Sequence, residues 1–335
     1  MRVSLAGLSA LALSACATTD VTPDPALSPE WPAFAQCIDK LASENGARTP
    51  TAEETKACHK SAALAVAPDT MQWLYGSGEA AGASIQAWRG LADYAVARSR
   101  ERRVPQSVSM GVGGDVAEPQ LCSDGDTIKP LAVVFDVDET VLLNTGYEYW
   151  VAATGNSYSR ETWKLWEETG NSYIRPVPGA VTGIRRLREA GITPVFNTNR
   201  QYSPEGAVKA IAAAGLGEAV HRETLFLRGD DGFDSGNKDG RRELIAERYC
   251  VIALVGDNLG DFADVFNDDT LSPEARRELA ARGNLAQLWG NGWFVLPNPV
   301  YGDSLKGTVE QVFPEGTRWK PEMAPAAPAI MDEGK

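Results

Sequence analysis

The sequence predicts an α/β fold, a doubly wound parallel sheet with a smaller, mainly helical accessory region. From residue 131 onward, short apolar runs typical of buried strands alternate with amphipathic stretches typical of helices. This alternation favours a parallel sheet with helices on both faces. The chain has 335 residues, of which 43% are hydrophobic, so it can form one large domain with an accessory region.

The elements of this sheet can be placed along the chain. Strands are predicted at 131–135, 192–198, 223–227 and 251–256, with a fifth at 293–296, and helices at 179–190, 203–214 and 240–248. The stretch 31–110 is predicted to be helical, because apolar residues such as Trp88 and Leu91 recur at spacings of three and four. Within a core of 131–315 we expect a small cap insertion at about 145–175, and 316–335 has the composition of a disordered tail.

The first residues have the layout of a secretory signal. After Arg2, the apolar run at 3–13 is too short to span a bilayer and is followed by small residues. Its ending, "LSAC", resembles a bacterial lipobox, in which the cysteine (here Cys16) is acylated and becomes the first residue of the mature chain. We therefore expect a signal peptide at 1–15 and a tether at 16–30. The alternative is ordinary signal cleavage nearby, with Cys16 a free thiol.

The expected cellular location and the number of cysteines together predict disulfides. Similarity to lipoproteins, with Ala17 rather than aspartate after the acylated cysteine, indicates an outer-membrane lipoprotein, expected on the periplasmic side with exposure at the cell surface as the alternative. In that oxidising compartment Cys37, Cys58, Cys122 and Cys250 permit two disulfides, with three alternative pairings. Cys37 with Cys58 is the first expectation, because both lie in the N-terminal helical region. Cys250 equally fits a small buried core residue.

Charge and histidine content exclude several classes of function. The formal net charge is -13, so a nucleic acid polymer is a poor partner. The only histidines are His59 and His221, which excludes sites built from several imidazoles and leaves little basis for a Ser-His-Asp triad. An acidic protein can still bind a phosphate ester where a metal ion or local donors supply positive charge.

Polar side chains follow the predicted strands, where the carboxyl ends of parallel strands form binding sites. These side chains are those of Asp136 and Asp138, Thr198, and Asp257 and Asp261, and Lys238 lies just before the helix predicted at 240–248. Carboxylates gathered at one edge need a cation, and hard oxygen ligands favour Mg²⁺. The alternatives are structural: the aspartates and threonines could cap turns or helices, and Lys238 could lie in a polar loop.

The same residues resemble a known family. "DVDET", "TNR", Lys238 and "GDNLGDF" resemble the four motifs of the haloacid dehalogenase superfamily. The closer similarity is to class C acid phosphatases, bacterial outer-membrane lipoproteins that cleave phosphomonoesters, including 5′-nucleotides. It covers roughly residues 70–315 and includes "SGE", "WKLW", "PVPGA" and "LPNPVYG". One departure is Gly260, where the family often has aspartate.

The resemblance implies a role for each residue of the site. Asp136 is the nucleophile that forms an aspartyl-phosphate, and Asp138 is the general acid and base. Mg²⁺ is bound by the side chains of Asp136 and Asp257 and by the backbone carbonyl of Asp138. The remaining implied roles are phosphoryl binding by Thr198 and Lys238, orientation of water or of Lys238 by Asp261, and contact with the substrate's base by Trp163 and Tyr301. From the sequence alone, Trp163 would be a core residue.

These observations lead to one leading function and two alternatives. The leading function is a Mg²⁺-dependent acid phosphatase, a 5′-nucleotidase whose substrates are phosphomonoesters such as nucleoside 5′-monophosphates. A phosphotransferase of the same superfamily would use the same residues. A binding or uptake lipoprotein with minor catalysis is the third candidate, and the intact motifs argue against it. The sequence leaves the oligomeric state open, a homodimer included.

Overall fold

The computed structural model describes residues 31–44, 49–101, 104–108 and 120–320. The chain divides into two units, Met1–Val66 and Ala67–Lys335. The signal peptide, Cys16, the tether and most of the predicted tail lie outside the described residues. Within the described ranges, every helix is too short or too polar to cross a membrane.

The described helices and strands are as follows in chain order. The helices are α1 (Trp31–Glu44), α2 (Ala52–Ala63), α3 (Asp69–Met71), α4 (Gly78–Ser99), α5 (Thr145–Thr154), α6 (Arg160–Thr169), α7 (Ala180–Glu189), α8 (Pro204–Ala213), α9 (Asp239–Arg248), α10 (Pro273–Ala281), α11 (Gly283–Ala286) and α12 (Val309–Val312). The strands are β1 (Ser123–Asp124), β2 (Thr127–Ile128), β3 (Leu131–Phe135), β4 (Leu142–Leu143), β5 (Arg175–Pro176), β6 (Thr193–Asn197), β7 (Leu225–Phe226), β8 (Cys250–Gly256) and β9 (Trp293–Val295).

The first unit contains α1 and α2. Thr51 begins α2 with a capping box, in which its side chain accepts from the Glu54 backbone and Glu54 accepts from the Thr51 backbone. A disulfide joins Cys37 in α1 to Cys58 in α2 and confirms the first expected pairing. The two helices are thereby covalently linked.

The second unit is built on a five-stranded parallel sheet in the order β7-β6-β3-β8-β9. All five predicted strands are present, and the α/β fold is confirmed. The chain moves outward from β3 through β6 to β7 and then returns to add β8 and β9 on the other side of β3. The order therefore reverses between β3 and β8, where doubly wound sheets bind their ligands.

Both faces of the sheet are buried, and successive residues of β3 pack into a different core cluster on each face. Val133 and Phe135 face one core cluster, whereas Ala132 and Val134 face the other, because successive strand residues point to opposite faces. The first cluster includes Trp88 and other residues of α4, with the Trp88 ring stacked on Phe135. The boundary between the units falls after Val66, so α4 belongs to the sheet unit rather than to a separate helical region at 31–110.

A helical insertion follows β3, within the range 145–175 expected for a cap. It contains α5, α6 and a 3₁₀ turn at Gly170–Tyr173. Its two ends are brought together by the antiparallel pairing of β4 with β5. Trp166 anchors the insertion, since its indole nitrogen donates to Asn144 Oδ1 at 2.8 Å.

A second disulfide closes a long loop in the sheet unit. Cys122 and Cys250 are bonded, with a sequence separation of 128, and both are buried. Cys250 begins β8, so the bond ties the segment before β3 to the central sheet. Cys250 is therefore both a core residue and a disulfide partner.

Replacing both Cys122 and Cys250 by alanine should lower the free energy of unfolding by about 2–4 kcal/mol, because the unfolded chain gains the freedom of a long loop. Urea unfolding followed by tryptophan fluorescence measures this change. The control is Cys37→Ala with Cys58→Ala, which removes a bond spanning only 21 positions in the other unit. An unchanged transition in the Cys122/Cys250 variant would contradict the stabilising role.

Candidate active site

The segments that leave β3 and β8 meet the loop before α9 at one cavity of about 710 Å³. The two strands flank the point where the strand order reverses, so their carboxyl ends open onto the same crevice. Seven of the predicted site residues line this cavity: Asp136, Asp138, Trp163, Lys238, Asp257, Asp261 and Tyr301. Residues far apart in sequence thus form one site.

Asp136 and Lys238 form the centre of the site. Asp136 is the first residue after β3, and its backbone N–H donates to the Val255 carbonyl of β8 at 2.9 Å. The Lys238 ammonium donates to the Asp136 carboxylate and also to Asp261, the latter at 2.8 Å. Lys238 is only 4% exposed, so its charge acts on the two carboxylates without much screening by water.

Asp257 completes a carboxylate cluster suited to a divalent cation. It accepts from the Thr140 hydroxyl at 2.9 Å and from Asn298 Nδ2 at 2.6 Å. One carboxylate oxygen from each of Asp136, Asp257 and Asp261 lies within 4.8 Å of the others. Hard oxygen donors at such separations fit Mg²⁺. Asp261 also accepts hydrogen bonds from the Lys238 ammonium, as Asp136 does, and from the Asn258 backbone N–H.

Asp138 is held by Arg200, a residue to which the sequence assigned no role. The Arg200 guanidinium donates to both Asp138 oxygens, at 2.7 Å through Nη2 and 3.2 Å through Nε. Its Nη2 also donates to Asn144 at 2.9 Å, and Asn144 in turn donates to Asp138 at 2.9 Å. Thr198 is fully buried beside this group, and its hydroxyl donates to Asp138 at 3.4 Å. Its predicted contact with phosphate therefore stays a prediction.

Glu139 links the turn after β3 to Tyr75 and Tyr301. Its φ of 56° lies in the left-handed region, which is unusual for a residue other than glycine. Its carboxylate accepts from the Asn144 backbone at 2.8 Å, from the Tyr75 hydroxyl at 3.1 Å and from the Tyr301 hydroxyl. These bonds stabilise the strained turn and fix the orientation of Tyr301 at the cavity.

The loop that carries Lys238 is held by buried charges. Asp264 accepts from the backbone N–H groups of Lys238 and Asp239, at 2.8 and 2.9 Å. Arg242 is fully buried, donates to the Asp239 carboxylate and reaches the Asp261 carbonyl at 2.8 Å. Arg241 donates to the Thr198 carbonyl at 3.1 Å. The start of α9 is therefore tied to the ends of both β6 and β8.

Burial dominates the electrostatics of the site. It raises the pKa of Asp136 to about 6 although the Lys238 charge acts to lower it. Burial and then the charge of Asp138 raise the pKa of Glu139 to about 7. Burial, together with the charges of Asp261 and Asp136, raises the pKa of Asp257 well above its ordinary value. Burial alone would lower the pKa of Lys238, but Asp136 and Asp261 raise it. The carboxylates thus need positive charge, which a cation would add.

The outer region of the cavity is aromatic. Trp163 and Tyr301, predicted to contact a base, both line it. Trp163 meets Tyr147 edge to face at 5.0 Å between ring centroids, and the Arg200 guanidinium lies 5.8 Å from the Trp163 ring. Tyr301 is 37% exposed, which leaves some of its ring for a ligand. The two predicted aromatic residues therefore line the same cavity.

The departure at Gly260 has a structural reason. A Cβ atom built on Gly260 would lie 2.3 Å from Oδ1 of Asn267, so a larger residue would displace that side chain. Asp257 and Asp261, on either side of Gly260, keep their contacts with Asn298 and Lys238. The glycine is thus accommodated without loss of either carboxylate.

Sequence reasoning missed Arg200, Asn144, Glu139 and Tyr75. The role of Arg200 could have been predicted in part, because a charged residue just beyond the end of a buried strand needs an oppositely charged partner nearby. Glu139 directly follows Asp138, and its bonds depend on a turn that the sequence pattern does not predict. Tyr75 lies 64 positions from Glu139, and no local pattern connects the two.

Comparison with known proteins gives a consistent result. A sequence model of the HAD superfamily, subfamily IIIB (acid phosphatase), matches residues 116–304, more than half of the 335-residue chain. The class C acid phosphatase from Bacillus anthracis is 23% identical, with a TM-score of 0.54 over 70% of this chain and 84% of that one. The class C acid phosphatase from Bacillus anthracis with tungstate bound is 22% identical, with a TM-score of 0.53 over 72% and 92%. At these identities the two structures show that the fold is shared.

Arg200→Met should lower the free energy of unfolding by about 3 kcal/mol, because it leaves Asp138 without its cation in a buried setting. The value is at the low end for a buried pair because the Asp138 side chain is 15% exposed. The control is Arg186→Met, whose pair with Asp93 is exposed at 37% and 69%, and whose loss should change stability by less than about 1 kcal/mol. Equal losses in chemical denaturation of the two variants would show that the Arg200 pair is not a stabilising anchor.

Proposed function

The chain belongs to the acid phosphatases of subfamily IIIB in the HAD superfamily and is therefore a phosphomonoesterase, and on this premise we propose that it is a Mg²⁺-dependent 5′-nucleotidase. The proposal includes an aspartyl-phosphate intermediate on Asp136. The observation that carries it is the buried Asp136–Lys238–Asp261 group beside Asp257, in a cavity that aromatic side chains also line.

Asp136 is the proposed nucleophile. Its carboxylate lies at the end of a buried strand, with the backbone fixed by β8. In the proposed reaction, one Asp136 oxygen attacks phosphorus, the ester oxygen leaves as an alcohol, and water then releases phosphate from the acyl phosphate. Lys238, which already contacts this carboxylate, would bind a phosphoryl oxygen as a point charge. Thr198 is proposed to bind another phosphoryl oxygen.

Asp138 is proposed to transfer the proton. It protonates the departing alkoxide and afterwards takes a proton from the attacking water. Its side chain lines the cavity two positions beyond Asp136, and Arg200 and Asn144 fix its orientation. Proton transfer depends on such orientation because the donor must lie within hydrogen-bond reach of the leaving oxygen.

The donor set fits Mg²⁺. Asp136 and Asp257 would bind it with their side chains and Asp138 with its backbone carbonyl, while Asp261 orients Lys238. Bound there, the ion supplies positive charge that offsets repulsion between the carboxylates and an anionic ester. Asp136 and Asp257, whose pKa values burial raises, gain most from such a charge.

The aromatic wall supports a nucleoside as the leaving group. The cavity of about 710 Å³ lies in the range of pockets that enclose a ligand of nucleotide size. Trp163 and Tyr301 both line it, and aromatic stacking accepts any base. We therefore propose nucleoside 5′-monophosphates as substrates, with little choice among bases.

The proposed location is the periplasmic side of the outer membrane, with a lipid anchor on Cys16. The two disulfides of the described chain support an oxidising compartment. Radiolabelled palmitate incorporated into the wild-type chain, and absent from Cys16→Ala, would establish the anchor.

The test of the function is phosphate release from a panel of monoesters, measured with Mg²⁺ and with EDTA. We expect turnover of adenosine, guanosine, cytidine and uridine 5′-monophosphates at similar kcat/KM, and its loss in EDTA with recovery on adding Mg²⁺. If EDTA left turnover unchanged, the proposed dependence on Mg²⁺ would be wrong. If the enzyme hydrolysed aryl phosphates but no nucleotide, the proposed nucleotidase function would be wrong.

Asp136→Asn should abolish turnover and leave the fold intact, because an amide cannot form the acyl phosphate. The expected loss is on the order of a thousand-fold or more in kcat, measured as phosphate release alongside chemical denaturation. The matched control is Asp303→Asn, a change at the rim of the same cavity, which should retain turnover within a few-fold. Turnover by the Asp136 variant would overturn the covalent mechanism.

Trp163→Ala should lower kcat/KM for nucleotides about ten- to a hundred-fold and barely affect glycerol phosphate, because only the nucleotide has a base to stack. Trp319→Ala is the control, since Trp319 is 71% exposed and does not line the cavity. If Trp163→Ala slowed both substrates alike, Trp163 would be a structural residue packed on Tyr147 and Arg200.

A further inference from the structure

Glu148 is a buried carboxylate for which the proposed chemistry has no use. It lies in the first turn of α5, is 8% exposed, and lines the active-site cavity. Across the described ranges of the chain, its carboxylate makes no hydrogen bond or ion pair. Its charge still reaches the site, because it raises the pKa values of Glu139 and Tyr75. Glu148 is thus a polar group at the substrate cavity without a partner among the described residues.

A purely structural role does not explain this placement. A glutamate in the first turn of a helix is stabilised by the helix dipole, but an exposed glutamate gains the same benefit without losing its hydration. Glu205 in the first turn of α8 shows that arrangement, since it is exposed. Burying Glu148 without a partner costs stability, which a ligand that contacts it would recover.

We propose that Glu148 is a specificity-determining residue that binds the vicinal ribose hydroxyls of a nucleoside 5′-monophosphate. The inference rests on the proposed nucleotidase function and adds the sugar to the groups of the substrate that the site recognises. A carboxylate suits this task because each of its oxygens accepts a hydroxyl donor, as acidic residues do for the ribose of dinucleotides.

Two observations favour a sugar over a small cationic alcohol such as choline. Burial raises the pKa of Glu148 to about 7, so at acid pH the group is mainly neutral. A neutral carboxyl attracts an ammonium weakly but still accepts and donates hydrogen bonds to hydroxyls. The cavity of about 710 Å³ also exceeds the space that a choline ester fills.

The test compares esters that differ only in the sugar. The kcat/KM of the wild type and of Glu148→Ala is measured for adenosine 5′-monophosphate, its 2′-deoxy and 2′,3′-dideoxy analogues, p-nitrophenyl phosphate and O-phosphocholine. We expect the wild type to favour the ribonucleotide over the dideoxynucleotide about ten- to a hundred-fold, within the combined range for two hydrogen bonds to an uncharged group. In Glu148→Ala this ratio should fall to within about two-fold, with the two esters that lack a sugar unaffected.

Controls separate recognition from structure. Glu205→Ala removes another first-turn glutamate and should preserve the ribose preference. Above about pH 7, where Glu148 is charged, Glu148→Gln should unfold at a urea midpoint equal to or above that of the wild type, because it removes a buried unpaired charge. A lower midpoint, with equal slowing of all five esters by Glu148→Ala, would overturn the proposal and make Glu148 structural.

The remaining outcomes distinguish this inference from the proposed function. If the wild type cleaves all three nucleotides equally well, the nucleotidase stands and the ribose contact is wrong. If Glu148→Ala selectively loses O-phosphocholine, the group binds an ammonium and the proposal is wrong. If the wild type cleaves p-nitrophenyl phosphate but none of the nucleotides, the nucleotidase function itself is wrong, and this inference is excluded with it.

Discussion

The structure of the site depends on one ammonium group shared by two buried carboxylates. Lys238 contacts Asp136 after β3 and Asp261 after β8, and it is almost fully buried. Without it, the residues beyond two central strands would be like charges in a poorly hydrated crevice, an arrangement that costs several kcal/mol. The parallel sheet brings the strand ends together, and the Lys238 charge reduces the repulsion between the carboxylates that meet there. Since Lys238 neutralises only some of the charge, the cluster retains affinity for a cation.

A second cation, Arg200, has a similar role beside Asp138. Arg200 binds Asp138 with two nitrogen atoms and reaches Asn144, which also receives the indole N–H of Trp166. The guanidinium thus connects the end of β6 to the helical insertion that follows β3. A lysine could not replace it, because an ammonium lacks the planar fork that contacts two partners in fixed geometry. The orientation of Asp138 and the position of the insertion therefore depend on the same side chain.

The sequence predicted the features that depend on local residue patterns. Apolar runs located the five strands to within a few residues, and the polar residues after them identified Asp136, Asp138, Asp257, Asp261 and Lys238 as neighbours. The roles of Arg200 and Glu139 depend on side-chain directions at a turn, which periodicity does not predict. The bond between Cys122 and Cys250 joins positions 128 apart, so the sequence could give only the alternatives. Helix α4 was assigned to an accessory region because its apolar face identifies a buried helix but does not specify the sheet against which Trp88 packs.

The cavity has two regions that meet different requirements. In the proposed function, the region built from Asp136, Lys238, Asp257 and Asp261 would contact only the phosphate group that every phosphomonoester shares, so it would contribute to rate without distinguishing one ester from another. Selection must therefore come from the wall that the leaving group touches, where Trp163, Tyr301 and Glu148 lie. A stacking surface tolerates any base, whereas a buried carboxylate rejects a ligand that leaves it unpaired. Aromatic residues alone would make the enzyme permissive, and in the proposed role one buried glutamate in the same cavity would make it selective for the sugar.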